Sequence, residues 1–316
     1  MSEPVVLRTV TRTQGANRAL KDGEVKVRGA QLRFEEVPVL VQAFRRMVRA
    51  LEFDVCEMAA TTYLCAKAAG VAFTAIPVLL VRGLHHGATQ VAAGSGVSSP
   101  ADLEGRRVGV NRGYTVTTGV WGRGILKEHY GVDLDRVTWV RSGDEHVAGY
   151  QPPANVVDLG SGESLQDHLI EGELAAVVGA DIDDSRVTSL IPEPERAAID
   201  SIRVGAVYPV NHLVVIKDEV LRKNPGIARA VFEAFAEAKQ PYLTSLTSSD
   251  IDSLSGVDRT NRLVWDATGS DPIPYGVEAN RDVLDKLVSY ALDQKILSRR
   301  FDLEDIFEPS TLGLSG

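Results

Sequence analysis

The sequence predicts a two-lobed α/β protein, each lobe a mainly parallel sheet flanked by helices, with a ligand cleft between the lobes. Three observations predict it. The chain of 316 residues, 44% hydrophobic and 24% charged, is long enough for two cores of ordinary domain size. β-branched runs alternate with amphipathic stretches along its length, the pattern of parallel strands covered by helices on both faces. After a Gly/Ser/Pro stretch at residues 94–100 the alternation restarts, which divides the chain into a first part at 1–100, a second lobe at 101–207 and a third block at 208–316.

Taken in order, residues 5–10 form the first strand, because Val5, Val6 and Val10 suit a pleated surface. Residues 11–23, rich in Arg, Thr, Gly and Asn, form a loop at its carboxyl end. Val37, Leu40, Val41, Phe44, Val48 and Leu51 follow helical spacing beside Pro38, and this helix feeds a strand at 53–56. A short helix at 61–69 ends at Gly70, where a left-handed cap is least strained, and an apolar run at 73–81 is a buried strand. In the second lobe a strand at 107–110 leads to a helix at 115–130 closed by Gly131, then to a strand at 137–140. A helix at 165–171, a strand at 174–178 and a loop rich in Asp and Pro complete it. A strand at 211–216 opens the third block, Asn224 and Pro225 stand as N-cap and first residue of a helix at 227–239, and a last helix covers 280–292.

Several functions are disfavoured by what the chain contains. The formal net charge of −9 argues against nucleic-acid and anionic-membrane partners, and the one basic cluster, Arg45, Arg46 and Arg49, is read as a solvated helix face. Residues 1–13, beginning at Met1, lack the basic start and apolar stretch of a signal peptide, and no apolar run approaches the length needed to span a bilayer, so a cytoplasmic protein is expected. Cys56 and Cys65 are expected as buried free thiols. Repeats, low-complexity tracts and the GxxxxGK[ST], GxGxxG, HExxH and GxSxG signatures are all missing, and Gly94-Ser95-Gly96 and Gly160-Ser161-Gly162 are read as flexible connections. No cofactor and no metal are expected: His85, His86, His212 and Glu57 come from strand ends, but adjacent histidines rarely chelate one ion. Nothing in the chain fixes an oligomeric state, although symmetric homo-oligomers are common among such proteins.

Four segments carry chemistry. Asn111-Arg112-Gly113-Tyr114-Thr115-Val116-Thr117-Thr118 lies between a strand and a helix, where free N–H groups, the helix dipole and a guanidinium make an anion cradle. Arg82-Gly83-Leu84-His85-His86 ends a buried strand, where cationic and proton-transferring groups meet a ligand. Asp54-Val55-Cys56-Glu57-Met58 ends another, followed by Thr61, Thr62 and Tyr63 at a helix start, so that Glu57 is either an acid–base group or a hydrogen-bonded structural carboxylate. Tyr208-Pro209-Val210-Asn211-His212 falls where the chain crosses back to the first lobe, with His212 a weaker site candidate; Arg12 sits in the loop after the first strand.

These words also carry a resemblance. Leu103-Glu104-Gly105-Arg106-Arg107-Val108-Gly109-Val110 looks like the second-lobe opening of type II periplasmic binding proteins and their relatives in thiamine-precursor synthesis. Together with Phe53 to Met58, Pro77 to His86, Tyr208 to His212 and Asp271-Pro272-Ile273-Pro274-Tyr275-Gly276-Val277-Glu278-Ala279-Asn280, it resembles the bacterial 4,5-dihydroxyphthalate decarboxylase family over nearly the whole chain. The resemblance implies a type II periplasmic-binding-protein-like fold, its first lobe closed by the C-terminal block, and a cofactor-independent decarboxylase, a carboxy-lyase of a hydroxylated aromatic acid. In that reading Arg82 or Arg112 holds the carboxylate that stays, His85 or His86 protonates the ring carbon, and Glu57 or Tyr63 polarises the ring hydroxyl. Tyr114, Thr115, Thr61, Arg12 and His212 complete the substrate-binding set. The alternatives are a non-catalytic solute-binding protein for a small carboxylate and another enzyme on the same scaffold.

Overall fold

The first strand, β1 (Val5–Val10), buries Leu7 and Thr9 and leaves Arg8 half-exposed, as a strand with one face on a core does. The computed structural model describes residues 3–316; Met1 and Ser2, where the segment read for a leader begins, lie outside the described residues. The expected loop after β1 instead forms a 3-10 turn at Gly15–Asn17 and the short helix α1 (Arg18–Lys21). Asn17 ties this turn together: its side-chain oxygen accepts from the Gln14 N–H at 2.8 Å and its amide donates to the Arg12 carbonyl at 2.9 Å. The next strand, β2 (Ala30–Phe34), is an edge strand with Gln31 and Arg33 exposed, so no apolar run announces it. Helix α2 (Leu40–Ala50) buries Leu40, Ala43, Phe44, Met47 and Val48 along one stripe and ends at Leu51, whose φ of 50° is left-handed. Strand β3 (Val55–Ala59) is buried throughout, α3 (Ala60–Ala68) follows it directly, and β4 (Phe73–Arg82) is a ten-residue buried strand.

The middle of the chain supplies β5 (Thr89–Ala92), β6 (Arg107–Val110), α4 (Thr117–Tyr130), β7 (Thr138–Arg141), β8 (Val156–Asp158), α5 (Leu165–Ile170), β9 (Ala176–Val178), β10 (Val187–Ser189) and α6 (Pro194–Arg203). Gly131 closes α4 at a φ of 72°. The stretch read as an Asp- and Pro-rich loop holds β10 and α6. Then come β11 (Val210–Lys217), α7 (Asp218–Lys223), α8 (Ile227–Ser248), α9 (Gly256–Thr268), α10 (Arg281–Asp293) and α11 (Leu303–Ile306). Asn224 follows α7 and does not cap α8, which is preceded by Gly226 at a φ of 86°.

These elements form two compact units. One holds the residues up to Gly83 together with Val210–Lys286 and Phe301–Gly316, and the other holds Leu84–Pro209 with Leu287–Arg300. The chain therefore leaves the first unit at Gly83, ahead of the Gly/Ser/Pro stretch, and the second half of α10 counts with the second unit. In the first unit a five-stranded sheet runs β2-β1-β3-β11-β4. Its β1 is parallel to β2 and β3, but β11 is antiparallel to β3 and β4. In the second, the six-stranded order is β10-β5-β9-β6-β7-β8, with β5 antiparallel to both its neighbours and the rest parallel. Both sheets are thus mainly parallel but mixed, a single strand running against the others in each: β11 in the first and β5 in the second. The reason is connectivity: β5 and β11 are entered just after the chain has passed from one unit to the other, without the crossover helix that makes neighbouring strands parallel.

Helix α8 anchors the first core, setting Val231, Phe232, Phe235 and Ala238 in one buried cluster with Val55, Ile76, Val78, Val214 and Ile216. The second unit has its own cluster around Val140, Leu169, Leu174 and Val177. Cys56 and Cys65 are buried free thiols. Among the described residues no helix is long and apolar enough to cross a membrane.

Candidate functional site

Sheet register brings the first constellation together. Glu57 sits within β3, opposite Val214 of β11, and His212 lies two residues before Val214, on the same face and diagonal to Glu57. On the other side Val10 of β1 pairs with Cys56, so the chain just past β1 runs alongside Glu57. Glu57 is fully buried. Its Oε1 lies 2.6 Å from His212 Nδ1 and its Oε2 accepts the Arg12 backbone N–H at 2.8 Å. A carboxylate oxygen accepts, so the contact is made by the Nδ1–H tautomer of His212. The Phe44 ring meets the imidazole edge-on, centroids 5.1 Å apart and planes at 85°. Carboxylate and phenyl together fix the ring, while its side chain remains 19% exposed. The result is a fixed imidazole with Nε2 as the nitrogen left to exchange a proton. Arg12 serves this arrangement through its backbone; its side chain is exposed.

One strand further on, Val210 pairs with Arg82 and His212 with Val81, which puts Arg82 at the same end of the sheet. Arg82 is 6% exposed and donates through Nη2 to Asn280 Oδ1. Asn280 is itself held by donating to the carbonyls of Pro274 (2.9 Å) and Gly276 (2.7 Å). The segment from Asp271 to Asn280 thus folds back to aim one guanidinium. Asn280 is a functional candidate that spacing alone does not reveal, since a lone Asn before a helix reads as a cap.

Tyr63 does not belong with this group. Its hydroxyl donates to the Ile306 carbonyl and accepts the Ala75 N–H at 3.2 Å, and burial pushes its acidity far out of reach. Thr61 is fully buried in the first turn of α3.

The second unit holds the other predicted residues. His85 and His86 are both 7% exposed, and the ring of His86 packs on His129 at 5.3 Å. Burial, reinforced by the neighbouring His129 and His85, pushes the His86 pKa down to about 4, so the ring is neutral near pH 7 and a poor proton donor. Its Nε2 has no hydrogen-bond partner among the described residues.

The anion cradle exists, but the chain fills it. Glu145 places Oε1 2.6 Å from the Tyr114 N–H, and Oε2 3.1 Å from the Thr115 N–H and 2.6 Å from the Thr115 hydroxyl. Arg112 has a left-handed φ of 64° and an exposed side chain, and its N–H donates to Ser142 Oγ at 2.8 Å. Two other guanidinium groups stand at the cradle: Arg141 Nη1 reaches Glu145 Oε1 at 3.4 Å, and Arg123, fully buried on α4, lies 3.9 Å over the Tyr114 ring and donates to the Tyr114 carbonyl at 2.6 Å. The sequence does carry a sign of the second: Gly119, one turn before Arg123 on α4, has no side chain where the Arg123 Nη1 lies. Among the described residues no three His, Cys, Asp or Glu side chains converge as metal ligands.

No family model matches the chain. A 4,5-dihydroxyphthalate decarboxylase of Comamonas testosteroni is 29% identical over 93% of this chain and 94% of its own. Another, of Pseudomonas putida, is 33% identical over 59% of this chain and 77% of its own. Among solved structures, the periplasmic aliphatic sulphonate binding protein SsuA from Escherichia coli superposes with a TM-score of 0.56 at 12% identity, over 98% of this chain and 92% of that one. The desulfurization enzyme DSZB gives 0.55 at 14% identity, over 98% and 97%. The fold is that of type II periplasmic binding proteins, a scaffold that carries both binders and enzymes.

Proposed function

Because the chain belongs to the 4,5-dihydroxyphthalate decarboxylase family, we propose that it decarboxylates a hydroxylated aromatic acid, with His212 as the proton donor and Glu57 as the residue that orients it. The observation that carries the assignment is the 2.6 Å contact between a fully buried carboxylate and a part-exposed imidazole. In the reaction the ring carbon bearing the carboxylate takes a proton from His212, the bond to the carboxyl carbon breaks, its electron pair returns to the ring, and carbon dioxide leaves. His212 recovers its proton from solvent, and no redox change occurs. Glu57 stabilises the imidazolium before transfer and keeps Nδ1 protonated after it. Arg82, aimed by Asn280, is the candidate for the carboxylate that remains, because its planar fork matches a carboxylate.

His212 is preferred to His86 for this role, since the neutral, buried His86 has little proton to give. The test compares His212→Gln with His86→Gln in carbon dioxide release from 4,5-dihydroxyphthalate. His212→Gln should lose on the order of 10²- to 10⁴-fold in kcat with binding by calorimetry kept. The reverse order of losses contradicts the assignment.

A further inference from the structure

We propose that the turn at Tyr114 and Thr115 is a carboxylate-binding site whose resting occupant is the chain's own Glu145, and that a small carboxylate ligand displaces it. Three observations of the second unit carry this. A carboxylate is seated there now, on two backbone N–H groups and one hydroxyl, the donor set an external carboxylate would use. The seat is shaped to that group: a Cβ at Gly113 would come within 2.5 Å of Glu145 Oε2. Independently, the Arg123 cation is buried beside it, its Nε held by Gln294 Oε1 at 2.8 Å, and a buried positive charge favours an anion in the seat. Arg123 is fully buried, and its Nη1 finds no hydrogen-bond partner among the described residues and lies against Gly119 in the first turn of α4. Its Nη2 holds the carbonyl of Tyr114, the residue whose N–H holds Glu145.

Glu145 is carried on residues 142–150, a stretch without helix or strand. Its ion pair with Arg141 is long, at 3.4 Å. A tethered carboxylate acts at an effective concentration of order millimolar or more. A simple monocarboxylate therefore fails to displace it, while a ligand with further contacts succeeds. The inference shares with the decarboxylase reading only the carboxylate as ligand; its test reads binding and stability, so the two fail separately.

The test uses Glu145→Ala and Glu145→Gln in the full chain, with acetate and phthalate as probes. Glu145→Ala should melt lower than the unaltered protein, and acetate at tens of millimolar, but not chloride at equal ionic strength, should restore a few degrees of Tm. The unaltered protein should not respond to acetate. Phthalate should bind Glu145→Ala several-fold more tightly than the unaltered protein by calorimetry, because its competitor is gone. If Glu145→Ala folds only when acetate is present, the proposal is supported in its strongest form. If it does not fold in either condition, Glu145→Gln, which keeps the side-chain shape, decides by the same acetate response. Melting that ignores acetate in every folded variant, or weaker phthalate binding after removal of Glu145, overturns the proposal.

Discussion

A wholly buried carboxylate is tolerated only where its charge is met, and Glu57 meets its partners on both oxygens, His212 on one and the Arg12 N–H on the other. Glu57→Gln keeps the shape but removes the charge that favours the imidazolium, so kcat should fall on the order of 10²-fold or more, with KM nearly unchanged in steady-state assays. His86 gives a prediction of the opposite kind, about stability. Its folded pKa is near 4 against an ordinary value of 6.5, so the folded state binds fewer protons than the unfolded one. The stabilisation is complete above pH 6.5 and is lost as pH falls toward 4. Melting temperatures measured across that window should drop with acidity, and His86→Leu should flatten the drop; an unchanged slope would show that other groups govern it. The residue types at these positions were legible from sequence, but their pairing was not. His212 stands 155 residues from Glu57, and only the β3–β11 register makes them neighbours.

At the scale of elements, long apolar stripes were easy to read and short edges were not. Helix α2 and strand β4 show their periods plainly because one face, or both, is buried. Strands β2, β8 and β10 lie at sheet edges, carry exposed polar or isolated apolar residues, and give no such pattern. The anion cradle was legible as a turn before a helix, but its occupant was not, because Glu145 comes from an irregular segment 31 residues beyond Tyr114. Helix α8 spans its core with Phe235 fully buried, so Phe235→Ala should cost about 3–5 kcal/mol by denaturant titration. The segment from Asp271 to Asn280 aims Arg82 and does not touch the proton, so Asn280→Ala should raise KM about tenfold or more, the loss of one charged hydrogen bond. In the same assay kcat should move much less; an equal fall in kcat would give Asn280 a part in the chemical step.

The whole molecule is two compact units, each with its own mixed sheet and core, on a scaffold shared by transport receptors and enzymes. That sharing means the fold does not decide between holding a ligand and transforming it. What favours transformation is the decarboxylase relatives and the dyad of Glu57 and His212 across β3 and β11. The most direct measurement is a turnover in heavy water with 4,5-dihydroxyphthalate. Carbon dioxide is measured against the remaining acid, and the position vacated on the ring is examined for deuterium. One carbon dioxide per product and one solvent deuterium at that carbon are expected, both suppressed in His212→Gln. Calorimetric binding of the same compound without any carbon dioxide release would contradict it and leave a carboxylate-binding protein.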